Sequence, residues 1–268
     1  LTAADMGGRV TKKIRFEDGE SYETWMGVWS QRIGDHFLEW LSPEPNKAWV
    51  DIGCGNGTFT EQIHTQHSPS EIRALDPSPE QIDFALQRIE SSEVSFQVGD
   101  AMELPFDDDQ FDYATMALVL FFVPDPAAGV AEMLRVTRPG GSISAYVWDL
   151  VEGGAPFESI WVQMRSLDIE VLRPPSAEIS EISRLHQTWI DAGLTNVETM
   201  RIPVERTFAN FQEFWDIAFL APPVGAVLSP LGPEVTHQVK AMTQEFLGVD
   251  EKELVTIHGF ANAVKGNL

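Results

Sequence analysis

A single cysteine, Cys54, stands in the whole 268-residue chain. No intrachain disulfide can form and no multi-cysteine metal site can be built, so no metal is expected and a reducing compartment fits. Basic residues are also scarce: 18 Lys and Arg face 41 Asp and Glu, a formal net charge of −23. Nucleic-acid affinity rests largely on cationic side chains that neutralise phosphates, so DNA, RNA and anionic membrane surfaces are poor partners. Apolar runs approaching the ~20 residues of a membrane-spanning helix are missing. The stretch from Leu1 to Arg15 lacks the basic segment, apolar stretch and small-residue cleavage site of a secretory leader, and a cytoplasmic location is the expectation. The acidic excess reads either as a solvated face that aids solubility or as a field that steers a cationic substrate.

What is present is enough to build a core: hydrophobic residues make up 43%, with 16 Phe and 8 Trp. Between Tyr22 and Leu41 the large apolar residues recur at the three-or-four spacing of an amphipathic helix, which Ser42-Pro43-Glu44-Pro45 ends. Beyond it, strand-like and helix-like segments alternate: 48–52, 58–67, 72–76, 79–90, 94–98, 111–118, 127–137 and 142–148. This βαβα order predicts a parallel sheet covered by helices on both faces. The alternation then fails. A helix over 160–172 reads as an insertion, a helix over 178–192 with Gly193 after it returns to a strand over 197–204, and the aromatic helix 208–220 with the Pro- and Gly-broken stretch to Leu247 reads as a second insertion before a last strand at 254–264. The implied division is a helical lid (1–45), a core (46–150), an insertion (151–180), core continued (181–207), a helical insertion (208–250) and the last core strand (251–268).

The sharpest local feature is Val50-Asp51-Ile52-Gly53-Cys54-Gly55-Asn56-Gly57-Thr58, at the end of one strand and the start of a helix. Glycines there let the backbone turn tightly and approach a ligand. Their Gly-x-Gly-x-Gly spacing differs from that of a dinucleotide loop, and Asp51 suits an ammonium group better than a pyrophosphate. Asp76, followed by Pro77-Ser78-Pro79, ends the next strand, where a carboxylate can accept both hydroxyls of a ribose; Ser78 is the better-placed helix cap. Asp100 in Gly99-Asp100-Ala101-Met102 can accept from an exocyclic amine while the Ala101 amide donates to a ring nitrogen, as adenine requires. All three lie at the carboxyl ends of consecutive strands, where open parallel sheets bind ligands.

Together with Phe111-Asp112 and Arg135-Val136-Thr137-Arg138-Pro139-Gly140-Gly141, these motifs resemble the class I methyltransferases that use S-adenosyl-L-methionine (SAM), and are similar to the ubiquinone and menaquinone C-methyltransferases and their small-molecule relatives. The resemblance implies a Rossmann-like α/β fold with a seven-stranded, mostly parallel sheet and an antiparallel final strand, an N-terminal helical lid, and helical insertions after strands 5 and 6. It implies that Asp51, Gly53 and Gly55 line the methionine part of SAM, that Asp76 with Pro77 binds the ribose, that Asp100, Ala101 and Met102 hold adenine, and that Ala117 and Leu118 border the sulfonium. Many relatives carry a His-His pair after the fourth strand; here Phe121 and Phe122 stand in its place.

Methyl transfer from a sulfonium to a cationic or neutral small-molecule acceptor, leaving S-adenosylhomocysteine, needs a general base only if the acceptor must lose a proton. Asp149, His186 and His258 are the candidates, each with an ordinary structural role as the alternative. Tyr22, Trp29 and Trp148 are the candidate acceptor-pocket walls, with Trp25, Trp161 and Trp215 as further aromatic candidates. A SAM-binding protein without catalysis and a nicotinamide-dependent oxidoreductase are the competing readings, the latter disfavoured by the glycine spacing.

Overall fold

A computed structural model describes residues 23–250 and 252–268. Within them a seven-stranded sheet runs in the order β3-β2-β1-β4-β5-β7-β6. Its strands are β1 (Ala48–Ile52), β2 (Glu71–Asp76), β3 (Val94–Val98), β4 (Phe111–Ala117), β5 (Thr137–Trp148), β6 (Thr195–Phe208) and β7 (Val255–Asn267). The first five are parallel to one another, and β7 runs antiparallel to both β5 and β6. The expected fold class is therefore the observed one. β1 is buried at every position, as a central strand covered on both faces must be.

A π-helical turn, Glu23–Gly27, leads into α1 (Val28–Leu41), which packs on α2 (Thr58–His67). The remaining helices are α3 (Pro79–Arg88), α4 (Pro126–Val136), α5 (Glu158–Ser166), α6 (Ile182–Asp191), α7 (Phe211–Leu220), α8 (Pro222–Leu228) and α9 (Pro233–Leu247). Caps explain several starts. Ser78 Oγ accepts from the Gln81 amide at 3.3 Å with Pro79 at the first helical position, and Asp125 Oδ1 accepts from Ala128 at 3.1 Å ahead of Pro126. Asn210 accepts from the Glu213 amide at 2.9 Å while Glu213 reaches back to the Ala209 amide at 2.5 Å.

Three elements differ from the sequence expectation. The helix anticipated over 160–172 stops at Ser166, where Asp168 turns left-handed (φ 56°), and residues 170–175 run on without helix. The stretch before Leu247 holds the regular fifteen-residue helix α9: Pro233 opens it and Gly248 (φ 66°) closes it, so the Pro and Gly delimit the helix instead of breaking it. β6 is longer than its apolar run, because pairing from Thr195 opposite Asn267 to Phe208 opposite Val255 carries polar residues into the ladder. Pro203 is tolerated there because β6 is the sheet's edge. Among the described residues no single helix is long and apolar enough to cross a membrane.

Candidate active site

The strand order reverses direction between β1 and β4, so the loops after these two strands diverge and leave a crevice at the carboxyl end of the sheet. The glycine loop fills one side of it. Gly53, Gly55 and Gly57 all have positive φ (74°, 53° and 82°), and the Gly53 and Cys54 amides donate to the Leu75 carbonyl at 2.7 and 2.9 Å. A Cβ on Gly53 would lie 2.4 Å from a Val119 methyl, whereas one on Gly55 would meet nothing nearer than 3.9 Å. The backbone at Gly55 is thus open to a ligand, while Gly53 is packed against the loop after β4.

Asp51, one residue before the end of β1, is fully buried. Its Oδ2 accepts from Thr60 Oγ1 at 2.6 Å, and its Oδ1 is buried without a partner. Burial pushes its carboxyl up to about 7, opposed by the Thr60 bond and helped by the charge of Asp76. Asp76, at the end of β2, accepts from the Gly55 amide at 3.0 Å and the Ser78 amide at 2.9 Å. Burial raises its pKa against those two bonds. Asp100 follows β3, exposed, and accepts from the Met102 amide at 2.8 Å; Ala101 and Met102 are half-buried beside it. Burial also holds the Cys54 thiol well above its usual range, with the charges of Asp51 and Asp76 adding to the shift, so the thiol stays protonated and inert.

At the end of β4, Leu118 adopts a left-handed backbone (φ 62°) while its amide donates to the Tyr146 carbonyl at 2.8 Å. A bulky residue in that conformation costs about 1–3 kcal/mol, strain of the kind found where a structure holds a ligand wall in place. Leu118 also lines a recess of about 580 Å³, part of it open to solvent, walled by Trp25, Met26, Phe121, Phe122, Trp148, Phe157, Trp161 and neighbouring Leu, Ala and Pro side chains. None of the described residues lining it is charged.

The aromatic candidates fall differently from one another. Trp148 lines the recess; Trp29 is fully buried behind it, edge-on to Trp148 with ring centroids 6.2 Å apart. Trp25 and Trp161 are lining residues, while Trp215 packs on Phe211 and Phe219 away from it. Tyr22 lies outside the described residues. Phe157 and the wall residues Leu172 and Pro174 went unread in the sequence because an irregular segment carries no periodicity to flag it.

The three candidate bases are not brought to the recess. Asp149 is fully buried and saturated: Oδ1 accepts from the Val151 and Glu152 amides at 2.9 and 2.7 Å, and Oδ2 from Asn262 Nδ2 at 2.7 Å, with Arg201 at 3.5 Å. That arrangement pins the loop after β5 to β7. Asp149→Asn is expected to lower the unfolding free energy by about 1–3 kcal/mol, because one amide donor then faces another; S-adenosylhomocysteine affinity, measured alongside denaturant unfolding, should stay unchanged. His186 is exposed on α6, and His258 is exposed on β7 beside Glu205 at 3.4 Å. Among the described residues no group of three or more His, Cys, Asp or Glu side chains is placed to hold a metal ion.

A family model describing a methyltransferase domain matches residues 50–145, the segment that contains the glycine loop, Asp76, Asp100 and the β4 end. This part of the chain is a SAM-dependent methyltransferase domain. The chain is 28% identical over 189 residues to a demethylmenaquinone methyltransferase of Staphylococcus aureus (strain JH9), covering 68% of this chain and 75% of that one. In fold the methyltransferase is similar to a Bacillus halodurans C-125 protein described as a methyltransferase (TM-score 0.61, 16% identity, 87% of this chain and 97% of the other). It is also similar in fold to phosphoethanolamine N-methyltransferase 2 of Haemonchus contortus, solved with S-adenosyl-L-methionine (TM-score 0.59, 16% identity, 93% of this chain and 56% of the other).

Proposed function

We propose that this methyltransferase acts on a neutral, largely apolar small-molecule acceptor that enters the recess beside Leu118. The apolar wall carries the reading. Burying an ionised group against it without a partner costs several kcal/mol, so a charged acceptor atom is disfavoured there. Phe121 and Phe122 reinforce this, since they fill the wall where many relatives have imidazoles. Trp148 and Trp161 each have an indole N–H with no partner, which an acceptor oxygen could satisfy. The Staphylococcus aureus relative, a demethylmenaquinone methyltransferase by name, points to the same acceptor character.

The cofactor seat fits the residues present. The unpartnered Asp51 Oδ1 takes the ammonium of the methionine part, and the open backbone at Gly55, with Gly53, leaves room for its chain. Asp76, oriented by the Gly55 and Ser78 amides and flanked by Pro77, binds the ribose hydroxyls, and Asp100 with Ala101 and Met102 holds the adenine. Ala117 and Leu118 separate this seat from the recess. When bound, SAM supplies a sulfonium methyl group that is transferred in line to the acceptor. The protein's own part is to orient the acceptor and keep water out, which the aromatic wall does by its shape. With no titratable side chain among the described lining residues, the acceptor must present its own lone pair or lose its proton to solvent.

Incubation with methyl-labelled SAM and matched pools of neutral apolar, cationic and anionic acceptors tests the reading. Label is expected in the neutral apolar pool; labelling confined to cationic acceptors, or to nucleic acid, would overturn it.

A further inference from the structure

The roof of the acceptor recess is tied to the glycine loop through one carboxylate. Trp25 and Met26, which line the recess, belong to the π-helical turn Glu23–Gly27. Glu23 reaches the opposite way. Its Oε2 accepts from Asn56 Nδ2 at 2.9 Å and Arg88 Nη2 at 2.7 Å, and lies 3.3 Å from Thr58 Oγ1. Arg88 completes the tie, because its Nε donates to the Asn56 carbonyl at 3.0 Å and its Nη1 to Glu61 at 3.2 Å. Asn56 in turn accepts from Thr58 Oγ1 at 2.8 Å, so the whole junction is built on the glycine loop and the first residue of α2.

The body of α1 does not depend on this junction. Gln62 holds it by donating to the Gln31 carbonyl and Asp35 at 2.8 Å each, and Gly34 sits so close that a Cβ there would lie 2.2 Å from Gln62 Oε1. The five-residue turn is held instead by the Glu23 tie on the glycine-loop side and, on the other, by Arg206 donating to the Thr24 carbonyl at 3.4 Å and by Trp25 against Phe157 at 5.7 Å between ring centroids, so the Glu23 tie is its link to the glycine loop. π-Helical turns are frequent at functional sites.

We propose that Glu23, held by Arg88 and Asn56, is a positioning residue that couples the cofactor loop to the roof of the acceptor recess, so that a loaded cofactor loop favours a closed roof. The inference rests on the cofactor seat described above. Coupling of this kind is reciprocal: the factor by which S-adenosylhomocysteine favours closure is also the most that closure can add to its affinity.

Gly27 provides a test that leaves Glu23 in place. Its backbone is ordinary right-handed helix, so alanine fits the conformation, but the new Cβ would lie 2.8 Å from the Glu23 carboxyl carbon and displace it. Amide hydrogen exchange over residues 23–28 is measured with and without S-adenosylhomocysteine, and affinity by calorimetry, for the unmodified chain, Glu23→Ala and Gly27→Ala. The unmodified chain should gain about tenfold protection on binding, and both variants less than twofold, with affinity falling by no more than the lost protection factor. Equal protection in the variants, or none in a chain that binds the ligand, overturns the coupling. An affinity loss larger than the protection factor places Glu23 on the ligand and overturns it too. Failure of the unmodified chain to bind S-adenosylhomocysteine at all overturns the cofactor seat itself, and the coupling with it.

Discussion

Asp51→Asn is expected to weaken S-adenosylhomocysteine about 10- to 100-fold at pH 7.5 while raising the melting temperature of the ligand-free protein at that pH. The two effects have one origin. The Asp51 carboxyl is fully buried with Oδ1 unpartnered, and burial pushes it up to about 7 from 3.8. A group whose folded pKa is raised contributes stability that is complete below its unfolded pKa and is lost as pH rises through the folded value. The wild-type chain therefore carries a cost that grows as the pH rises above 3.8, where the unfolded carboxyl ionises, and is complete above about pH 7; the amide removes it, so the gain should be clearly smaller at pH 5 than at pH 8. A ligand ammonium reverses the balance: the carboxylate then has its partner, and a hydrogen bond to a charged group contributes about 1.5–3 kcal/mol. Affinity should accordingly fall as pH drops below about 7, when Asp51 gains its proton, and again above ~8, when an α-amino group loses its own. In the asparagine variant the acid flank disappears. Calorimetry across pH 5.5–9 and thermal melts at pH 5 and 8 check this; equal affinity in the variant, or an unchanged acid flank, would place the ammonium elsewhere.

Gly53→Ala should cost about 2–5 kcal/mol of stability and abolish measurable S-adenosylhomocysteine binding. Two penalties add at this position. A left-handed backbone costs an L-residue about 1–2 kcal/mol, and a Cβ would press on Val119, 2.4 and 2.6 Å from its two methyls and 3.1 Å from its Cβ. Val119 is stiff about χ1 and can yield only by moving the loop after β4, at about 1–3 kcal/mol for overpacking. Gly140→Ala separates the two contributions. Gly140 has the same kind of backbone (φ 82°), and a Cβ added there would have nothing within 4 Å, so its substitution carries the conformational cost alone. Denaturant unfolding of both variants measures the difference, and Gly53→Ala/Val119→Ala should recover much of the stability without restoring the loop's backbone. Equal losses in the two single variants would show that the Val119 contact counts for nothing.

The alternation of segments from Ala48 to Trp148 was legible because the central strands β1 and β4 are short, largely buried runs and α3 and α4 start at a side-chain cap followed by proline, so local chemistry and the tertiary answer agree. Beyond Trp148 that agreement lapses. The run after Ser166 leaves the helix despite its apolar content, and the full length of β6 is set by its partner β7, which lies far along the chain. At the site, the glycine loop, Asp76 and Asp100 were readable since spacing after successive strands places them at one edge of the sheet. The recess walls were legible only in part: Trp148, Trp25 and Trp161 were among the aromatic candidates and do line it, but nothing in their local sequence distinguishes them from Trp29 or Trp215, which are packed elsewhere, and Phe157 went unread.

By itself the sequence determined the glycine loop and the strand-end carboxylates, because a loop that must turn through positive φ and acidic residues that follow short strands are local features, set by residues near one another in the chain. Only the tertiary structure decided the other half. It showed that Asp149, a candidate base by position, spends its oxygens on the Val151 and Glu152 amides and on Asn262. It also showed that Glu23 bridges to Asn56 and Arg88, and that an uncharged aromatic recess opens at Leu118. Those outcomes depend on which distant side chains arrive within hydrogen-bond or van der Waals reach, a property of the folded chain and not of any segment of it.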